Sequence, residues 1–420
     1  IVGVLPISIP TIASFGDGII IKKIKQNRID SKSYRPGKKI IEIRPEEIKS
    51  NVNPILNLLN QSVKEKAWPG CVLLGAQDGK IFIHEASGYH TYDKKRSMRV
   101  SDIFDLASIT KVIATTSGIM KLYDEGLLKL KSPVVDYIPK FKGTKKEYRD
   151  IKSKITVQDL LTHTSGLPAF RAYHSIDESL EIKIDSIYNT APVASPGDTM
   201  IYSDIGAIIL GKIVETISGF SLDHYVDSLI FSPLGMKTTT YNPKPEKLHR
   251  IVPTEIDDSG LLIKGVVYDE NARSLDGVAG HAGLFSTAKD LSIFSQMMLN
   301  KGIYGWTRIF KSETVKLFTQ KSPNQSNLSR ALGWDTPSGY SSGGVYLSNS
   351  SFGHTGFTGT SLWIDPENNM IIILLSNAVH PNRKHKNPNY YDWRQRIHSS
   401  VYESIGINEK KNNLEWRKSW

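Results

Sequence analysis

The chain has 420 residues, 39% of them hydrophobic, with 53 Lys+Arg against 42 Asp+Glu for a net charge of +11, and a single cysteine, Cys71. That length holds a large core or two lobes, and the ordinary apolar fraction marks a globular chain rather than a disordered or fibrous one. One cysteine excludes an intrachain disulfide and a cysteine-based metal site, and the basic excess, spread in small clusters at 22–25, 142–146 and 383–386, reads as a lysine-rich solvated surface with no nucleic-acid motif.

In chain order, residues Ile1–Ile24 do not read as the start of a domain. Gly3-Val4-Leu5-Pro6-Ile7-Ser8-Ile9-Pro10, followed by Phe15-Gly16-Asp17-Gly18, is either an ordinary N-terminal arm or, by resemblance, the final strand and tail of a family 3 glycoside hydrolase. The opening residue is isoleucine, so the sequence reads as a fragment or a processed product from which any targeting signal would be missing. The basic stretch Lys22–Lys39 reads as a linker. Residues 1–43 are therefore expected to be arm and linker, 44–407 the globular domain and 408–420 a tail.

Glu46–Lys66 carries Ile48, Val52, Ile55, Leu56, Leu59 and Val63 at helical spacing, and Pro69-Gly70 stops it. Cys71–Ala76 and Lys80–His84 flank Gln77-Asp78-Gly79, a hairpin signal. A buried helix then runs from about Ser108 to Glu125-Gly126. From there to about Leu332 the pattern is helical with long loops: Thr156 opens a capping box with Asp159, Ile205–Ser218 is closed by Gly219, Ser221 can cap the next helix, and Ser286 or Thr287 caps another with Asp290 completing its box. Strand character returns at Val345–Leu347, Ser361–Ile364 and Met370–Ser376, and Tyr391–Ile405 reads as a helix. No apolar run reaches membrane-spanning length; the longest, Met370–Leu375, fits a buried strand. The fold class is α+β. An antiparallel sheet lobe (about 44–110 and 333–407), flanked by N- and C-terminal helices, receives an inserted, mainly helical lobe (about 111–332).

Three segments carry chemistry. In Ser108-Ile109-Thr110-Lys111 a hydroxyl and an amine lie one helical turn apart, so the lysine can take the serine proton if its own charge is suppressed. The same spacing at Ser286-Thr287-Ala288-Lys289 reads only as a cap. Tyr202-Ser203-Asp204, between a turn and a helix start, offers a phenol that can relay a proton. His354-Thr355-Gly356-Phe357 leads into a strand whose glycine allows close approach of a substrate. Taken singly, Tyr202 reads as packing and His354 as a surface histidine. His163 and His281 read as buried hydrogen-bonding groups, and the scattered histidines make no metal site.

Ser-x-x-Lys, Tyr-Ser-Asp and His-Thr-Gly in this order resemble the three boxes of the serine β-lactamase and penicillin-binding-protein superfamily, in its class C-like branch. Ile155–Pro168, Phe231–Met236 and Gly277–Ser286 match it too, so the resemblance spans about Arg44 to Ile407. It implies a β-lactamase/transpeptidase-like fold and a serine hydrolase working through an acyl-enzyme without cofactor or metal. Ser108 is the implied nucleophile, Lys111 its base or relay, and Tyr202 the proton shuttle. His354 stands where a lysine is usual. The amides of Ser108 and Phe357 are the implied oxyanion donors, with Asp204, Thr355 and Gly356 lining the substrate. Asp204, where asparagine is common, would favour a charged Lys111, and this with His354 points away from an efficient β-lactamase. The leading expectation is an amidase or peptidase on peptidoglycan-derived muropeptides, cutting a muramyl–L-alanine or D-amino-acid bond. Alternatives are an esterase or weak β-lactamase, and a penicillin-binding sensor that acylates without turnover. The resemblance also implies an extracytoplasmic bacterial setting, a small-molecule or muropeptide substrate, no nucleic acid, and an upstream glycosidase domain in the same polypeptide.

Overall fold

The computed structural model describes residues 35–43, 51–321, 329–385 and 389–418. The glycosidase-like pattern at Ile1–Ile24 lies outside them. The main sheet has six strands in the order β1-β3-β2-β11-β10-β9, drawn from both ends of the chain: β1 (Ile41–Glu42), β2 (Gly70–Gln77), β3 (Lys80–Gly88), β9 (Phe352–Thr355), β10 (Ser361–Asp365) and β11 (Met370–Ser376). Five strands pair antiparallel, and β1 adds parallel to β3 through Ile41 and Glu42. The folded body therefore begins ahead of the boundary at 44 read from sequence. It also extends beyond 407, because Leu414 is buried against the same core as the terminal helices.

The strands explain their own composition. In β11, Met370, Ile372 and Leu374 face one core with Trp68, Leu59, Trp393 and Ile397, whereas Ile371, Ile373 and Leu375 face the helical lobe. Alternate side chains point to opposite faces, and both faces are covered, so the strand reads as an unbroken apolar run. The first face is closed by helices Asn53–Lys64 and Asn389–Glu403. Val345–Leu347, expected as a strand, forms none. Val345 and Leu347 are still buried in that core, so their apolar character reports packing and not a ladder.

Between the sheet strands runs the helical lobe. A small sheet of β4 (Phe104–Asp105), β5 (Thr240–Tyr241) and β6 (Leu284–Ser286), in the order β4-β6-β5, stitches it to the nucleophile segment, and β7 (Ile303–Tyr304) pairs with β8 (Thr307–Arg308). Its central helix, Asp204–Ser218, is capped by the Ser203 hydroxyl on Gly206 N and ends at Gly219 in the left-handed region (φ 75°). The Thr156–Asp159 capping box forms in both directions. Two cap expectations change. Ser221 makes no side-chain cap, and Leu222 N donates instead to Glu215. Thr287 does cap its helix, but the Asp290 carboxylate turns away to accept from Thr238 and Thr239. No single helix among the described residues is long and apolar enough to cross a membrane.

Candidate active site

The site forms where the outermost strand of the main sheet, β9, meets the helical lobe. Asp105 ends β4, and the chain turns through Ala107, a non-glycine residue at φ 46°, into Ser108. Positive φ is strained for a residue with a Cβ, and such strain is characteristic of functional turns. Lys111–Thr116 then winds as a wide π turn before the α-helix Ser117–Asp124. Ser108 is half-buried and Lys111 is 4% exposed.

Lys111 Nζ donates to Ser108 Oγ at 2.8 Å and to the His281 carbonyl at 3.1 Å, and it pairs with Asp204 Oδ1 at 2.7 Å. Burial opposes the charged amine, but the Asp204 carboxylate and then Tyr202 outweigh it and push the pKa up to about 12. The suppressed charge expected for a lysine base is therefore absent. The amine is shielded from water, as the chemistry requires, yet it is an ammonium because Asp204 sits against it.

Tyr202 lies on a stack of basic groups. Lys111 Nζ and Arg330 Cζ each lie 5.0 Å from its ring centroid, and the rings of His163 and His354 are centred 4.6 and 6.0 Å away. His163 Nδ1 accepts from Ser203 N at 3.0 Å, and burial, then Arg330 and Lys111, hold its pKa well below the usual histidine range. His354 Nδ1 donates to the Thr355 carbonyl at 2.8 Å, which leaves Nε2 as an acceptor 3.5 Å from Arg330 Nη1. Burial, aided by Arg330 and Lys111 against Asp335, depresses His354 to about 4. The imidazole is neutral at physiological pH.

Arg330, 7% exposed, thus supplies the fixed positive charge on this side of the site. Its Nη2 pairs with Asp335 at 2.8 Å. The sequence reading missed it, because an Arg and an Asp five residues apart on irregular chain follow no spacing rule.

The remaining expected residues build the opposite wall. Gly356 N donates to Thr360 O at 2.8 Å, so its own amide is occupied. A Cβ on Gly356 would lie 2.1 Å from Thr360 Oγ1 and 2.3 Å from Leu106 O, so only glycine lets this turn close on the nucleophile segment. Thr358 and Thr360 hydroxyls donate to Asp105 O (2.9 Å) and Leu106 O (3.0 Å). Thr355 is half-buried at the end of β9, and Phe357, 49% exposed, stacks on Tyr268 at 5.9 Å. Behind Lys111, His281 Nε2 pairs with Asp269 Oδ1 at 2.7 Å. Burial pushes Asp269 up, but His281 brings it well below the usual carboxylate range. The structure thus gathers Ser108, Lys111, Tyr202, Asp204, His354, Thr355, Gly356 and Phe357 in one region, and adds Arg330, Asp269 and Asp105. No group of three or more metal-ligating side chains occurs among the described residues.

Residues 55–396 match the family described as Beta-lactamase. A protein named "Putative D-alanyl-D-alanine carboxypeptidase" from Salmonella heidelberg (strain SL476) is 35% identical, over 76% of this chain and 81% of that one. Among solved structures, EstCE1, a hydrolase with promiscuous acyltransferase activity, superposes with a TM-score of 0.65 at 21% identity, covering 83% of this chain and 97% of its own. The octameric penicillin-binding protein homologue from Pyrococcus abyssi gives 0.62 at 22% identity, over 82% and 81%. At such identities the structural likeness speaks for the fold.

Proposed function

The chain belongs to the beta-lactamase family and is a serine hydrolase; from that premise we propose that it cleaves D-alanyl peptides of the peptidoglycan kind through an acyl-enzyme on Ser108. The observation that carries this reading is the Lys111 ammonium held between Ser108 Oγ at 2.8 Å and Asp204 Oδ1 at 2.7 Å. A charged lysine accepts no proton, so it works as a relay. As Ser108 Oγ bonds to the scissile carbonyl carbon, its proton passes to Lys111 Nζ while another leaves Nζ for Asp204. The tetrahedral oxyanion rests on the Ser108 and Phe357 amides. Tyr202, beside the same ammonium, hands a proton to the departing amine and takes one from the water that later releases the acyl group; as Ser108 Oγ departs, the proton on Asp204 returns to it through Lys111 Nζ. Net, one amide bond and one water are consumed.

The substrate assignment draws on the 35% identical relative and on Arg330. A guanidinium kept charged at all working pH values suits the terminal carboxylate of a D-alanyl peptide better than the neutral His354 beside it. D-alanine release from a pentapeptide ending in D-Ala-D-Ala tests the proposal. Ser108→Ala is expected to lower turnover by about 10⁶-fold with an unchanged melting curve. Retained turnover in that variant removes Ser108 as nucleophile. A wild-type protein that splits the muramyl–L-alanine amide and leaves D-Ala-D-Ala intact moves the scissile bond.

A further inference from the structure

Asp105 stands three residues before Ser108, 2% exposed, and the relay leaves it unused. Its carboxylate takes a backbone N–H from each side: Ala107 N on Oδ1 at 2.8 Å and Tyr268 N on Oδ2 at 2.6 Å. No cation pairs with it among the described residues. The first bond fixes the strained Ala107 turn (φ 46°) that aims Ser108. The second fixes Tyr268, whose ring stacks on Phe357 at 5.9 Å and 20°. Thr358, next to Phe357, also donates to the Asp105 carbonyl at 2.9 Å. One residue therefore touches both turns that carry the proposed oxyanion amides: its carboxylate holds Ala107 N and, through Tyr268, the ring against Phe357, and its carbonyl accepts from Thr358.

We infer that Asp105 is a positioning residue: as a carboxylate it clamps the Ser108 and Phe357 turns in the register the oxyanion needs, and as a neutral acid it lets them go. A protonated carboxyl keeps one good acceptor and turns an O–H toward an amide that also donates, so one strap is lost. Burial raises Asp105 to about 6, with Asp269 adding to the rise and the two amides and Arg273 opposing it. His281 and Lys111 stand beside Asp269 and lower its pKa. Release is thus set for weakly acidic conditions. His354, at about 4, titrates too low to account for a change there.

The inference rests on Ser108 being the nucleophile, and the test separates the two. Hydrolysis of p-nitrophenyl acetate is followed from pH 4.5 to 8 in the wild type and in Asp105→Asn, Arg273→Gln and Ser108→Ala. The wild type is expected to lose kcat on an acid limb centred near pH 6, with KM steady. Asp105→Asn, a permanent mimic of the neutral acid, is expected to show kcat lowered about 10–10²-fold at pH 8, somewhat less than the loss of an oxyanion donor, and no acid limb. Arg273→Gln, which removes the cation that opposes the rise together with its hydrogen bonds to the Val267 and Tyr268 carbonyls, is expected to move the limb to higher pH. A wild type without the limb, or a folded Asp105→Asn that keeps the limb or full kcat, overturns the inference. If Asp105→Asn does not fold, an unmoved limb in Arg273→Gln overturns it. Activity in Ser108→Ala overturns the nucleophile and the clamp together.

Discussion

At Lys111 the low-dielectric interior and a neighbouring carboxylate pull the same amine in opposite directions, and the carboxylate wins. The pair's contribution to stability is complete below the ordinary lysine pKa and is lost only as pH climbs through about 12, so it is constant across any working range. Asp204→Asn keeps the shape and one acceptor but removes the charge that receives the relayed proton. We expect kcat/KM to fall about 10²–10⁴-fold, the usual worth of a positioned acid–base group, on esters and peptides alike. A loss confined to peptides would instead assign Asp204 to substrate binding. Arg330→Gln separates the other way. KM for a D-alanyl peptide with a free carboxylate should rise at least about tenfold, the loss of one charge-assisted pair, while a neutral p-nitrophenyl ester should be turned over as before. Steady-state kinetics on the two substrates checks both.

Elements place these residues through backbone contacts more than through side chains. The Gly356–Thr360 turn lies directly on Asp105-Leu106, and Gly280 lies as closely on the helix Asp204–Ser218, where a Cβ would meet Ala207 O at 2.0 Å. Gly356→Ala is therefore expected to cost about 1–3 kcal/mol from overpacking and to abolish most activity by prising the Phe357 turn from Ser108; thermal melting with kcat measures the two effects. This level also marks where the sequence was legible. Ser108, Lys111 and Tyr202 stand in short motifs at a helix start, the hairpin of β2 and β3 is announced by Asp78-Gly79, and Met370–Ser376 can hardly be anything but a buried strand. Arg330 and Asp335 come from irregular chain and Asp269 from the N-cap of the short helix Glu270–Ser274, and only the fold carries them to the site. Asp105 lies three residues ahead of Ser108, but a carboxylate with two backbone donors looks, in one dimension, like any other acid.

The described residues form two cores on either side of one sheet, with the site on the seam of the larger core. The far core is finished by the C-terminal tail: Leu414 is buried, Glu415 O accepts from Gln395 Nε2 at 2.8 Å, and Arg417 N donates to Gln395 Oε1 at 2.8 Å. A chain ending at Ile407 uncovers a leucine site worth about 1.5–3 kcal/mol. Its melting temperature should drop by several degrees while kcat stays unchanged, since the tail lies across the sheet from Ser108. An equal loss of activity would show that the two faces are coupled.

The pairing of β2 with β11 joins Leu74 to Ile373, and it has a consequence for how the protein is made. At about 5–20 residues per second, a ribosome needs roughly 15–60 s after finishing the first hairpin to deliver its partner strand. Throughout that interval β2 has β3 on one side and no strand on the other, and the nucleophile has already been synthesised beside an unbuilt wall. The wall beside Ser108 is thus incomplete until the strands from Phe352 onward have been made.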